Sequence, residues 1–337
     1  MKFLKKLAVI TAAVVLTANS AAFAAFTDMP DGEIGNALNN AVENGLITGY
    51  DDNTIRPDDL ITRAQMAAII TRAFGAVEES DTSFPDVADN AWYLKEVKKA
   101  VAMGIFKGDE NGNFNPENNI TFQETYTVLA RAFYLEPKVR TTNTLQPVSD
   151  TALDAFSDKD QVADWAEIYV KSVVDNGGFS GINGMLKPLD YITRGEFALV
   201  MDELVTTYID DPGEYEGLPD GLTMVRSGGV TISGLESSKN VIVSYGVDKT
   251  GCTIKDCKVQ GAIIILGGAN PTEFVDEETG EKFLHASDEP TVTLTGDYVD
   301  VRVMSPYVSL SANSNNPNVI PAYYGVKYAK ISANVVQ

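Results

Sequence analysis

The chain has 337 residues, with 47 acidic against 26 basic side chains and a formal net charge of −21. So negative a balance excludes nucleic acid and anionic lipid as partners attracted by the overall field, and confines any anion site to a local cluster. One histidine and two cysteines exclude a histidine-built zinc site or catalytic triad.

Lys2, Lys5 and Lys6 precede an apolar run from Leu7 to Leu16. That run is about half the length a membrane span needs. Ala22-Phe23-Ala24 fits a small-x-small cleavage pattern, so residues 1–24 read as an export signal and the mature chain starts near Ala25. No later stretch is long and apolar enough to span. The mature protein is expected to be secreted, soluble or peripherally attached, without membrane insertion, and built as two domains.

Three segments then repeat. Phe26-Thr-Asp28 leads to Ile61-Thr62-Arg63-Ala-Gln65, Phe84-Pro-Asp86 to Ile120-Thr121-Phe122-Gln-Glu124, and Phe156-Ser-Asp158 to Ile192-Thr193-Arg194-Gly-Glu196. Pro57, Pro116 and Pro188 precede the three isoleucines at one spacing, and Gly49, Gly108 and Gly181 precede those prolines by seven or eight residues. The longer distance from the second repeat to the third fits an insertion around Lys138–Thr151. Each repeat reads as helix, turn-rich loop, helix. The first helices carry apolar stripes such as Ile34, Leu38, Val42 and Leu46, and end at Gly45, Gly104 and Gly177-Gly178. The second helices open with Thr62…Gln65, Thr121…Glu124 and Thr193…Glu196, each a Thr-x-x-Gln/Glu capping box. No repeat can bury both helical faces alone, so the three are expected to pack as one unit. Their limits are read as 25–75, 80–136 and 152–209.

Arg63 and Arg194 stand directly after the capping threonines. A guanidinium beside the unpaired amides of a helix N-terminus suits a planar carboxylate. The alternative is that each arginine pairs with a nearby acid such as Asp28 or Asp158. The Asp109-Glu-Asn111-Gly-Asn113 loop begins like a calcium loop. It lacks glycine at position six, where Phe114 stands, and an acid at position twelve, where Ile120 stands, so no metal site is read.

The order Phe-x-Asp, Trp, Gly-rich loop, Pro, Ile-Thr-Arg-x-Glu resembles the surface-layer homology (SLH) domain over residues 26–205. The resemblance implies a pseudo-threefold helical trimer that binds a secondary cell-wall polysaccharide, often through pyruvylated N-acetylmannosamine, in grooves between repeats. It implies no cofactor, a place in the wall or surface layer of a bacterium, and surface-layer neighbours as further partners. Carried over, it assigns Arg63 and Arg194 to the ketal carboxylate. Asp28, Asp86 and Asp158 would contact sugar hydroxyls or position the arginines. Trp92 and Trp165 would pack on the sugar or line the groove, and Gly49, Gly108 and Gly181 would let backbone approach it. Core packing for each tryptophan and simple turn geometry for each glycine stand as the alternatives. Phe122 replaces arginine in repeat two, repeat one has Ile34 where a tryptophan is expected, and the loop of repeat three is shortened. At most two competent grooves are expected.

Residues 210–221 read as an acidic linker before a β-rich module at 222–337. Val230/Ile232, Val241/Val243, Cys252/Ile254 and Ile263/Ile265 alternate with period two and recur every 11 residues. Evenly spaced short strands suggest a small β-solenoid or β-helix, with a β-sandwich as the rival. Further strands are expected at Thr291–Leu294, Val299–Met304, Val308–Ser311 and near Val326–Ile331. Residues 267–290 interrupt the pattern as a hairpin excursion ending at His285, which reads as a surface residue. Cys252 and Cys257 read as small buried hydrophobes; on one straight strand their odd spacing would put them on opposite faces and forbid a bridge. No catalytic cluster recurs on a strand face, so the chain is expected not to be an enzyme. The alternative is a surface carbohydrate-active enzyme of polysaccharide-lyase type with the same anchor.

Overall fold

The computed structural model describes residues 26–135, 148–314, 319–321 and 329–332. The expected export signal and most of the insertion after Lys138 lie outside the described residues. Helices come first: α1 (Gly32–Glu43), α2 (Arg63–Ala73), α3 (Leu94–Ala102), α4 (Phe122–Ala132), α5 (Asp164–Asp175) and α6 (Arg194–Leu204). Gly45, Gly104 and Gly178 follow α1, α3 and α5 with φ of +68°, +73° and +81°, the left-handed turn that ends a helix at little steric cost.

The starts of α2, α4 and α6 organise the helical unit. The hydroxyls of Thr62, Thr121 and Thr193 accept the amides of Gln65, Glu124 and Glu196, whose side chains accept the threonine amides in return. Just before each cap stands a fully buried isoleucine whose extended backbone has no partner in its own helix, so its groups turn to neighbouring repeats. The Ile61 amide donates to the Ile192 carbonyl at 3.0 Å, Ile192 to Ile120 at 3.1 Å and Ile120 to Ile61 at 3.1 Å, closing a ring. The next amides follow suit. Arg63 and Ala64 donate to the Asn118 and Pro116 carbonyls, Phe122 and Gln123 to Asp190 and Pro188, and Arg194 and Gly195 to Asp59 and Pro57. Aromatic side chains fill the interior between helices, with the rings of Phe74 and Phe133 5.0 Å apart.

Strands follow: β1 (Thr207–Ile209), β2 (Gly213–Glu216), β3 (Thr223–Val225), β4 (Val230–Ser233), β5 (Glu236–Ser237), β6 (Val241–Val243), β7 (Cys252–Ile265), β8 (Pro271–Val275), β9 (Lys282–Ala286), β10 (Val292–Val303), β11 (Ser309–Ser314), β12 (Val319–Pro321) and β13 (Lys330–Ser332). All but β8 and β9 join one 11-stranded sheet in which each described pairing is parallel. That removes the β-sandwich alternative, whose sheets pair antiparallel. One ladder stacks Val230, Cys252, Val292, Leu310 and Ile331. A second stacks Tyr208, Met224, Ile242, Ile264 and Arg302. Val230 pairs with Cys252 and Val241 with Ile263, so each residue meets the one at twice the 11-residue spacing, and alternate members belong to different ladders.

Residues 210–221 are not a separate linker. Gly213–Glu216 form β2, paired with β4. The segment reads as acidic because a strand at the end of a sheet turns Glu214 and Glu216 to solvent while Tyr215 packs on the core. Apart from Thr223, Asp300 and Arg302, the central part of the second ladder is apolar on both faces. Val225, Val241, Val243, Ile263 and Ile265 fill the interior of the sheet region. Met224, Ile242 and Ile264 join the helical core instead, making one continuous apolar cluster. Polar groups complete the junction at the helix ends, whose last carbonyls lack partners within the helix. Arg226 donates to the Asn44 carbonyl at 3.0 Å, Lys239 to Asn176 at 3.0 Å, Asn240 to Phe133 at 3.3 Å and Arg302 to Tyr134 at 3.4 Å. Arg302 also pairs with Asp300 at 2.6 Å, both buried.

β8 and β9 form an antiparallel hairpin with Phe274 opposite Phe283, and His285 is exposed beside the Phe274 ring. Cys252 and Cys257 are both buried and unbridged. They do not sit on opposite faces of a straight strand. Asp256 at φ +53° breaks the alternation, so both thiols are buried with the interior cluster.

Candidate functional site

Arg194 reaches from α6 into the loop of repeat one. Its Nε donates to the Ile55 carbonyl at 2.9 Å, its Nη2 to Thr48 at 3.0 Å, and its guanidinium lies 5.1 Å from the Tyr50 ring centre. Arg63 does the same from α2 into the loop of repeat two, donating to the Phe114 carbonyl at 2.9 Å and to Lys107 at 3.4 Å. Neither makes an ion pair among the described residues, so the expected rival partners Asp28 and Asp158 do not neutralise them. Burial lowers the pKa of both guanidinium groups, opposed by Glu124, Asp109 and Asp86 around Arg63 and by Tyr50 and Asp59 around Arg194. Both remain charged. Arg194 is 6% exposed, and a buried cation held only by neutral carbonyls favours an arriving anion.

The helix starts themselves offer less than the sequence suggests. The first two amides of α2, α4 and α6 are taken by carbonyls of the next repeat and the third by the capping threonine. An anion there meets the guanidinium, not free amides.

The aspartates act one step back. Asp28 accepts the Ile55 and Arg56 amides at 2.7 and 2.8 Å, Asp86 those of Phe114 and Asn115 at 2.8 and 2.6 Å, and Asp158 those of Leu186 and Lys187 at 3.1 and 2.7 Å. Both carboxylate oxygens of each thus accept a backbone amide. The amides they hold belong to residues whose carbonyls, at Ile55 and Phe114, take the arginines. Burial opposes the Asp28 charge, but the Ile55 and Arg56 amides outweigh it and hold its pKa below the ordinary carboxylate value. The glycines also serve packing. A Cβ on Gly49, Gly108 or Gly181 would lie 1.9, 2.9 or 2.6 Å from the ring of Phe26, Phe84 or Phe156. The space a Cβ would take is filled by the first aromatic of the repeat.

Trp92 is 61% and Trp165 53% exposed, so neither is a core residue. Trp92 borders a cleft of about 280 Å³ with Thr48, Gly49, Tyr50, Gln65, Arg72 and Arg194, drawn from all three repeats. Arg72 was not singled out by the sequence reading. It stands nine residues after Arg63, and its signal is its counterpart Arg131, at the same distance after Phe122. Arg131 donates to the Tyr169 hydroxyl at 2.8 Å, one turn beyond Trp165. The third position is different. Phe122 is fully buried, and the carbonyl of Leu186, the counterpart of Ile55 and Phe114, accepts the Tyr126 hydroxyl at 2.9 Å. Glu203 replaces the second arginine and accepts the Ser180 amide and hydroxyl at 2.9 Å. In the Asp109 loop, the aspartate accepts the amides of Asn111 and Asn113, both at 2.9 Å, as a closed turn. No metal-binding group of three or more His, Cys, Asp or Glu occurs among the described residues.

A profile of the S-layer homology domain family matches residues 25–67, 83–125 and 155–198. The chain carries three S-layer homology domains. A surface-layer 125 kDa protein of Lysinibacillus sphaericus is 31% identical over 59% of this chain and 16% of its own length. S-layer protein EA1 of Bacillus anthracis is 28% identical over 74% of this chain and 28% of its own length. An endoglucanase of Bacillus sp. strain KSM-635 is 29% identical over 48% of this chain and 17% of its own length. The chain thus spans less than a third of each of these relatives. The SLH domains and the surface-layer relatives mark it as a secreted cell-surface protein. No helix among the described residues is long and apolar enough to cross a membrane.

Proposed function

We propose that the three SLH repeats hold this protein non-covalently on a bacterial wall by binding an anionic secondary cell-wall polysaccharide, with pyruvyl ketal carboxylates as the anionic groups. The observation that carries the reading is the cleft that Arg194, buried with no ion pair among the described residues, shares with the exposed Trp92 and Arg72. A planar carboxylate matches the guanidinium, and the indole supports the apolar face of a sugar ring. Arg63, Arg131 and Trp165 are the counterparts of these residues in the next pair of repeats and are read as a second groove; the position of Phe122 is read as giving none. The closed isoleucine ring is read as a pseudo-threefold trimer, and the two parallel ladders as coils of a β-solenoid displayed outward. Purified wall fragments should retain the full chain. Arg63→Ala with Arg194→Ala should release it, and undiminished retention would remove both arginines from attachment.

A glycoside-hydrolase relative keeps a second reading open, a carbohydrate-active C-terminal module. Incubation of the full chain with wall and plant polysaccharides, followed by an assay for new reducing ends, tests it; absence of product across the panel leaves display as the function.

A further inference from the structure

The first helices of the three repeats differ in charge although the chain as a whole is strongly acidic. α1 carries Glu33 and Glu43 and no base, and α5 carries Asp164, Glu167 and Asp175 against Lys171. α3 reverses the sign, with Lys95, Lys98 and Lys99 against Glu96. That single acid is turned away from solvent: it accepts the Thr71 hydroxyl on α2 and a 3.5 Å contact from Lys99. The side chains of Lys95 and Lys98 have no ion pair or hydrogen bond among the described residues. The acidic stretch Glu78–Asp81 passes the Lys98 carbonyl through Ser80, yet none of its carboxylates pairs with these lysines.

The position of this basic face matters as much as its sign. Trp92, one turn before Lys95, lines the Arg194 cleft, and Thr71, which anchors Glu96, is the neighbour of Arg72 in that cleft. Lys95 and Lys99 share a helix face and lie about 6 Å apart along the axis. The lysines of α3 thus follow in the chain directly after the indole that borders the cleft of Arg194 and Arg72. The second groove borders acidic α5, where Lys171 is already paired with Glu167 at 2.7 Å.

We propose that the Arg194–Trp92 cleft is the dominant polymer site and that its ligand extends onto the lysine face of α3. The ligand is then a polyanion carrying further charges beyond the one in the cleft. This rests on the proposed binding of a wall polysaccharide by the cleft. The arginines fix one anionic group at short range in a sheltered site, while the lysines, of which Lys95 is exposed and Lys98 and Lys99 are half-buried, add salt-sensitive attraction along the strand.

The test uses the full chain and wall fragments at 50, 150 and 500 mM NaCl, comparing wild type, Lys95→Gln/Lys98→Gln/Lys99→Gln, Lys171→Gln and Arg194→Ala. The triple variant should bind about tenfold more weakly at the lowest salt, converging on wild type at the highest, as expected for several surface charge contacts screened by salt. Lys171→Gln should bind as wild type. Soluble polygalacturonate and polyphosphate as competitors separate carboxylate from phosphate on the wall strand. Wild-type affinity of the triple variant at low salt overturns the extension, as does an equal loss at every salt concentration. If Arg194→Ala still abolishes binding in those cases, the cleft itself stands. Retention of binding by Arg194→Ala and the triple variant alike would remove the cleft reading too.

Discussion

Replacing Arg302 alone should damage the protein more than replacing Arg302 and Asp300 together. The two side chains are 8% and 3% exposed and joined at 2.6 Å, and Asp300 Oδ1 has no hydrogen-bond partner among the described residues. Arg302 follows Tyr208, Met224, Ile242 and Ile264 in the row facing the helices, and Asp300 is in register with Ala262. Arg302→Met removes the one partner that the buried carboxylate has among the described residues, and the bond to the Tyr134 carbonyl. Such a loss costs about 3–5 kcal/mol. Asp300→Ala with Arg302→Met leaves no buried charge and continues both rows with apolar side chains. Replacements of that kind range from neutral to about 1–4 kcal/mol more stable than the ion pair. Urea unfolding followed by circular dichroism measures the difference. The single variant should shift the midpoint sharply down, and the double variant should return to wild type or above. A single variant as stable as the double would refute the reasoning, because the carboxylate would then not need its cation.

Gly49→Ala should cost about 1–3 kcal/mol from the clash with Phe26, and Gly181→Ala a similar amount plus roughly 1–2 kcal/mol for its φ of +87°, both read by thermal unfolding. Asp28→Asn should lose about 1–3 kcal/mol at neutral pH, because one of two amide acceptors disappears. The depressed pKa of Asp28 means its contribution is present above the unfolded value of 3.8 and lost as pH falls through the lower folded value, so the variant should unfold less steeply in acid. Burial pushes the Cys252 thiol up to about 12, so thiol-reactive dye at pH 8 should label it only after unfolding.

What could be read from sequence were the local signals. Threonine followed at three residues by Gln or Glu specifies its own cap, and isoleucine, proline and glycine at fixed offsets reveal the repeat. The relations between repeats were hidden, because they run through backbone groups every residue possesses. Nothing in Arg63 or Arg194 says that their helix amides are already spoken for, or that Asp28 reaches Arg194 by way of the Ile55 peptide. Gly49 looks like a loop glycine until the Phe26 ring is placed on it. Arg72 escaped because it sits at the far end of α2, outside the Ile-Thr-Arg segment, and repeat three has Glu203 in its place. In the sheet region the 11-residue rhythm was visible, but it marks half of the true pairing distance. Acidity hid β2 because only one face of that strand is inside.

The junction between the helices and the sheet gives the molecule a mechanical character. Tyr208, Met224, Ile242 and Ile264 form a seam along which tension at one end passes to the other through packed side chains, with no slack tether to take up the strain. Under the proposed attachment, drag on the sheet region would tilt the helical unit with it, so leverage as well as affinity would bear on how long the molecule stays in place.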